Sequence, residues 1–314
     1  MLLLSFFAFA LGLDSSVWAT PVRRASPILY DGRAPSNITG ADLDQSKGPY
    51  LAAVKGSKNA SQYFQFLGNN PPPTPLWTPV QEQAIQATID NSSVFTPGSN
   101  PPQFGFRRGE LIAQPDQTGN RTAFNAQIES GLTAFHFSVQ ADSQQQLNFK
   151  HEYQPLFIEP NDGTHVFDLQ TGTPFNTTVS DADARMLRIR SHSGNVLFQT
   201  PFAENTWHNF AVAVDWDKLT LQAFYSQNAC DLKAVTKVED NSSAAKGPNG
   251  QGDFHFGLLK LPLINPADSP ADQADVSHKG TQEGTTESIL YSGVFIESAQ
   301  NGVSIGNGKT VPIG

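Results

Sequence analysis

Arg108 and Glu110, separated by one glycine, stand out in the run Phe104-Gly105-Phe106-Arg107-Arg108-Gly109-Glu110-Leu111. Side chains alternate between faces in an extended chain, so these two share a face and are neighbours. A guanidinium beside a carboxylate favours the ionised acid and fixes its direction. That combination suits a base, a nucleophile or an acceptor for a sugar hydroxyl. The spacing alone also fits a surface ion pair.

A second acid, Glu152, lies in Asn148-Phe149-Lys150-His151-Glu152-Tyr153-Gln154. Read as a strand, this segment puts Glu152 on one polar face with Asn148, Lys150 and Gln154, side chains that hydrogen-bond sugars. Two carboxylates converging from separate strands, one protonated and one ionised, are the equipment of glycoside hydrolysis. Taken alone, Glu152 also reads as a solvated strand residue. In Asp253-Phe254-His255-Phe256-Gly257 the two phenylalanines alternate toward a core, which turns His255 to the opposite, polar face. There it is a candidate for orienting or protonating groups at the site. His208, in Trp207-His208-Asn209-Phe210, reads mainly as a packing residue and is kept as a second candidate for substrate contact. The Gln282-Glu283 pair adds a polar candidate of low specificity.

The elements that must carry these residues show alternation of period two. Phe135, Phe137 and Val139 alternate with His136, Ser138 and Gln140; the stretches Leu147–Gln154 and Leu219–Ser226 behave alike. Further strands are expected over Met186–Arg190, Val196–Thr200, His208–Asp215, Phe254–Lys260 and Ile289–Glu297, with Gly, Pro, Asn and Asp clusters between them. Amphipathic helices are scarce. Many strands without β-α alternation predict an all-β fold, a jelly roll or two-sheet antiparallel sandwich, as one domain over residues 25–314. Asn69–Pro79 and Pro262–Gly280 are expected to be long surface connections.

Composition narrows the function. The formal charge is −9, with 20 basic against 29 acidic residues and no basic cluster, which excludes a nucleic-acid or anionic-membrane partner and favours a neutral or cationic ligand. Residues Leu2–Leu13 form an apolar run too short for a membrane span, and Val17-Trp18-Ala19 fits a signal-peptidase site. A signal peptide over residues 1–19, and secretion, are therefore expected. Six Asn-x-Ser/Thr sequons, at Asn37, Asn59, Asn91, Asn120, Asn176 and Asn241, suit an exported glycoprotein. Cys230 is the only cysteine, so no intramolecular disulfide forms and stability must come from the core. The chain has no GxSxG, Walker, HExxH or GxGxxG signature, so serine-triad hydrolysis, phosphoryl transfer and nicotinamide chemistry lose their usual markers. Metal sites built on cysteine are excluded, and Asp181-Ala182-Asp183 lacks EF-hand spacing.

Taken in order, Phe104–Leu111, His151-Glu152-Tyr153-Gln154, Trp207–Val212 and His255–Lys260 resemble glycoside hydrolase family 131, the fungal broad-specificity β-glucanases. The likeness runs from Ile28-Leu29-Tyr30-Asp31 to Tyr291–Ile296. It implies a β-jelly roll and a secreted enzyme acting on β-1,3-, β-1,6- and β-1,4-linked glucans, with an Arg, two Glu and a His in its cleft. On this chain those roles fall on Arg108, Glu110, Glu152 and His255, with Asn148, Gln154 and His208 as substrate contacts. The family pattern has Ala where Gly109 stands. No metal or cofactor is required, and a monomer working on a glucan is expected. The rival readings are a jelly-roll polysaccharide lyase and a non-catalytic, lectin-like sandwich.

Overall fold

The computed structural model describes residues 26–115 and 119–314; the expected signal segment, 1–19, lies outside them. Two antiparallel sheets pack face to face. In the seven-stranded sheet the order is Val196–Pro201, Met186–Ser191, Phe167–Gly172, Glu152–Pro160, Gly252–Lys260, Arg107–Ala113, Tyr50–Val54. The nine-stranded sheet is built around Thr220–Gln227, His208–Asp215, Leu132–Ala141, Glu287–Ser298 and Ile85–Ile89. Strands distant in sequence sit side by side, so the chain crosses between sheets repeatedly, as the jelly-roll expectation requires.

Alternation decides which side chains meet between the sheets. Phe135, Phe137 and Val139 turn inward and are fully buried. The Phe135 ring lies 5.2 Å from Phe254 and 5.7 Å from Phe167, joining the two sheets through edge-on aromatic contacts. Each such buried ring contributes about 1.5–3 kcal/mol through the water it sheds. The strand His208–Asp215 has the bounds its pattern predicts, and Met186–Ser191, Val196–Pro201 and Gly252–Lys260 differ by one or two residues at their ends.

Two expectations are corrected. Leu147–Gln154 is not one strand: residues 148–151 form a turn, and extended structure begins only at Glu152. The Asn148 carbonyl accepts from the His151 N–H at 3.0 Å, and the Asn148 side chain accepts from the Lys150 N–H at 3.3 Å, so a local Asn turn competes with the ladder. Nor is the outer side of the nine-stranded sheet a solvated face. His136, Ser138 and Phe224, all assigned to polar faces by alternation, are fully buried. Leu76, from the Asn69–Pro79 connection, and Val303 and Ile305, near the C-terminus, cover that face and form a second, smaller apolar cluster with Phe224. The Pro262–Gly280 connection carries two short helices, Pro270–Ala274 and Val276–Lys279.

Candidate active site

The chemistry-bearing residues gather on the face of the seven-stranded sheet turned away from the inter-sheet core. On the strand Arg107–Ala113, Leu111 points inward while Arg108 and Glu110 point outward. The neighbouring strand pairs Gly257 with Glu110, Leu259 with Arg108 and His255 with Ile112. Glycine is needed opposite Glu110, because a Cβ at position 257 would lie 2.2 Å from the Gly109 carbonyl oxygen.

Glu110 is almost completely buried and accepts from Arg108 twice, Nε to Oε1 and Nη2 to Oε2, each at 2.7 Å. Its Oε2 also lies 2.9 Å from His255 Nδ1. Burial by itself raises the acid's pKa, but the Arg108 charge and the His255 and Arg108 hydrogen bonds outweigh it and hold the carboxyl down at about 2. An ionised carboxylate only accepts, so the hydrogen of the His255 contact belongs on Nδ1. Phe157 stacks on the His255 ring at 4.8 Å, His165 stacks on Phe157 at 4.1 Å, and the Arg108 guanidinium lies over Phe95 at 5.5 Å. Rings thus pack against both groups that hold Glu110. Beside them stands Glu159, with Oε2 3.6 Å from Arg108 Nη2 and 3.7 Å from His255 Nε2.

Glu152 occupies the same face, two strands away. Its Oε1 accepts from Gln154 Nε2 and Arg190 Nη2, both at 2.9 Å, and its Oε2 from the Phe175 N–H at 2.6 Å. Arg190 in turn forks onto Asp168 at 2.8 and 2.9 Å. A groove of about 420 Å³ opens here, with Glu152, Lys150, Phe175, Thr177, Pro262 and Ile264 among its lining. No hydrogen bond or ion pair among those of the described residues joins Glu152 to Glu110. Glu152 stands two strands from Glu110, beyond the register irregularity between Phe256 and Leu259.

The structure therefore brings Arg108, Glu110 and His255 into one cluster and gives Glu152 and Gln154 a second one. It leaves the other two expected substrate contacts elsewhere. Asn148, in its turn, donates to Glu283 Oε1 at 3.0 Å, and the same carboxylate reaches His151 at 2.7 Å and Lys260 at 3.0 Å; Asn148 thus fastens the Gln282-Glu283 segment. His208 belongs to the nine-stranded sheet, is fully buried, and has its ring nitrogens 2.8 Å from the Tyr225 hydroxyl and 3.3 Å from the Ala203 carbonyl. Burial pulls its pKa down to about 4, so it is a neutral packing residue. Glu159, Asp168 and Arg190 join these two clusters although no motif marks them. Their signal was present in the alternation: Ile158 and Ile189 point inward, which turns Glu159 and Arg190 out. Among the described residues, no three His, Cys, Asp or Glu side chains are grouped to hold a metal ion.

Residues 28–302 match the family model described as the glycoside hydrolase 131 catalytic N-terminal domain. Two solved structures share the fold. One is a GH131 β-glucanase catalytic domain from Podospora anserina, with 23% identity and a TM-score of 0.67 over 90% of this chain and 100% of that one. The other is the catalytic domain of a family 131 protein from Coprinopsis cinerea, with 24% identity and a TM-score of 0.64 over 90% of this chain and 99% of that one. No curated protein matches the chain. A match across so much of the chain, on a sandwich with a buried Arg–Glu–His cluster on one outer face, makes this protein a member of glycoside hydrolase family 131 and its described residues a glycoside hydrolase catalytic domain.

Proposed function

We propose that this chain is a secreted, monomeric β-glucanase that cleaves β-1,3-, β-1,6- and β-1,4-glucosidic bonds of cell-wall glucans without a cofactor. The observation that carries this reading is the Arg108–Glu110–His255 cluster: a carboxylate kept ionised in a nearly dry setting, on the outer face of the seven-stranded sheet, in a chain of this family. Such a carboxylate suits the base or nucleophile of glycoside hydrolysis. Glu152, in the neighbouring groove, is the carboxylate that the sequence pairs with Glu110, with the acid and base roles left open between the two. Gln154 is a candidate sugar contact on the same face. The name of the Podospora relative supports glucan as the substrate, and a chain of charge −9 suits a neutral polysaccharide. The N-terminal apolar run and the sequons support export.

The test is release of reducing ends from a panel of β-1,3-, β-1,6- and β-1,4-glucans by the purified chain and by Glu110→Gln. Removing a general base from a fitted site lowers the rate about 10²–10⁴-fold. A parent protein that releases nothing from any glucan overturns the reading.

A further inference from the structure

Hydrolysis of a glucoside needs a group that hands a proton to the departing oxygen, and neither expected carboxylate is arranged to do so. Glu110 accepts from three donor atoms and Glu152 from three others. Every oxygen of both carboxyl groups already faces a donor, so a proton added to either displaces a bond that the fold has built. Access points the same way. In the Glu110 cluster the side-chain exposure is 1% for Glu110, 5% for His255 and 9% for Arg108, against 28% for Glu159. Of the four, Glu159 is the one open to a polysaccharide.

Its position is equally specific. Arg108 Nη2 lies 2.7 Å from Glu110 Oε2 and 3.6 Å from Glu159 Oε2, so the two carboxyl groups stand within about 6 Å, the scale on which paired glycosidase carboxyls act. Glu152 and Glu159 lie seven residues apart on one strand, about 23 Å, too far to flank a single bond. Among the described residues, Glu159 is tied only by longer ion pairs, to Arg108 and His255. It approaches Arg108 and His255 Nε2 only at 3.6–3.7 Å, beyond hydrogen-bond length. With Nδ1 committed to Glu110, the ring presents Nε2 toward the Glu159 carboxyl.

We propose that Glu159 is a catalytic residue of this site, the proton donor to the leaving glucan oxygen. The inference rests on the glycosidase reading and puts Glu159 in place of Glu152 as the second carboxyl group. The Glu159 proton moves to the glycosidic oxygen, and the C1–O bond breaks with its electron pair staying on that oxygen. The Glu110 carboxylate, beneath the surface, offsets the positive charge left at C1 through its field. Water then supplies the new C1–O bond and returns a proton to Glu159. Glu152, with Arg190 and Asp168, becomes a wall of the sugar groove.

The test compares Glu159→Gln, Glu152→Gln and Glu110→Gln on a β-glucan and on a 2,4-dinitrophenyl glucan oligosaccharide, whose leaving group departs without a proton. Glu159→Gln is expected to lose about 10²–10⁴-fold on the glucan but less than about tenfold on the activated substrate. Thermal unfolding at the parent temperature shows that the isosteric change at this half-buried position leaves the fold intact. Glucan turnover by Glu159→Gln within about threefold of the parent overturns the assignment, as does the leaving-group signature appearing in Glu152→Gln instead. A parent inactive on both substrates overturns the glycosidase reading itself, a different and separately visible failure.

Discussion

Arg108 and Glu110 are each less than a tenth exposed, and removing either partner strands the other. Breaking one side of a buried pair costs about 3–5 kcal/mol. Proton linkage gives a second route to the size. Glu110 titrates at about 2 in the fold and near 4.3 in an unfolded chain, a difference worth about 3 kcal/mol. Glu110→Gln and Arg108→Met are therefore each expected to lose about 3 kcal/mol, while the double change Arg108→Met/Glu110→Leu loses much less than the two together, because no lone charge remains. The coupling in this cycle is expected to be about 2–3 kcal/mol at pH 7. Because the folded pKa lies below the unfolded one, the contribution is complete above about pH 5 and fades as the pH falls toward 2. Urea unfolding of the four proteins at pH 7 and pH 3 measures both quantities. Single losses below about 1 kcal/mol, or effects that add within about 0.5 kcal/mol, contradict the buried-pair account.

Other outcomes follow from the same contacts. Gly257→Ala drives a methyl onto the Gly109 carbonyl at 2.2 Å and is expected to cost about 2 kcal/mol or more, whereas Gly109→Ala meets Thr88 O at 3.3 Å and should stay within about 1 kcal/mol; chemical denaturation ranks them. Glu82 is pushed up to about 7, first by burial, so its folded pKa exceeds the unfolded one and its contribution, full below about pH 4.3, is lost as the pH rises through 7. Glu82→Gln should then unfold at higher urea than the parent at pH 8, by about 2–3 kcal/mol, and an unchanged midpoint contradicts this. His208, pulled down to about 4, stays neutral in the fold while the unfolded chain takes a proton below about pH 6.5; stability falls from there to pH 4, and His208→Gln should flatten that slope without changing glucan turnover.

Much of the scaffold was written in the period-two pattern, since both faces of the inter-sheet core select apolar residues at every second position. That is why the strands around Phe210, Ile189 and Phe254 were found nearly to the residue. The pattern misled where a different force took over. At Asn148 a side-chain turn replaced the ladder, and at His136 and Phe224 covering segments buried a face that alternation assigns to solvent. The site was half legible. Arg108 and Glu110 announce themselves by spacing within one strand. Their meeting with His255 is set by sheet order, which joins residues 145 positions apart and leaves no local trace. Glu159 and Arg190 had the right facing but no neighbour in sequence to mark them. His208, equally polar in sequence, is spent on Tyr225 and Ala203.

A glucan chain is expected to be cut over Glu110, on the outer face of the seven-stranded sheet. The most direct measurement is a crystal structure of Glu110→Gln with a β-glucan oligosaccharide bound. A glycosidic oxygen within hydrogen-bond reach of the Glu159 carboxyl, with the adjoining C1 over position 110, is the predicted result. An oligosaccharide lodged on the nine-stranded sheet, or lying along the Glu152 groove without approaching position 110, contradicts it.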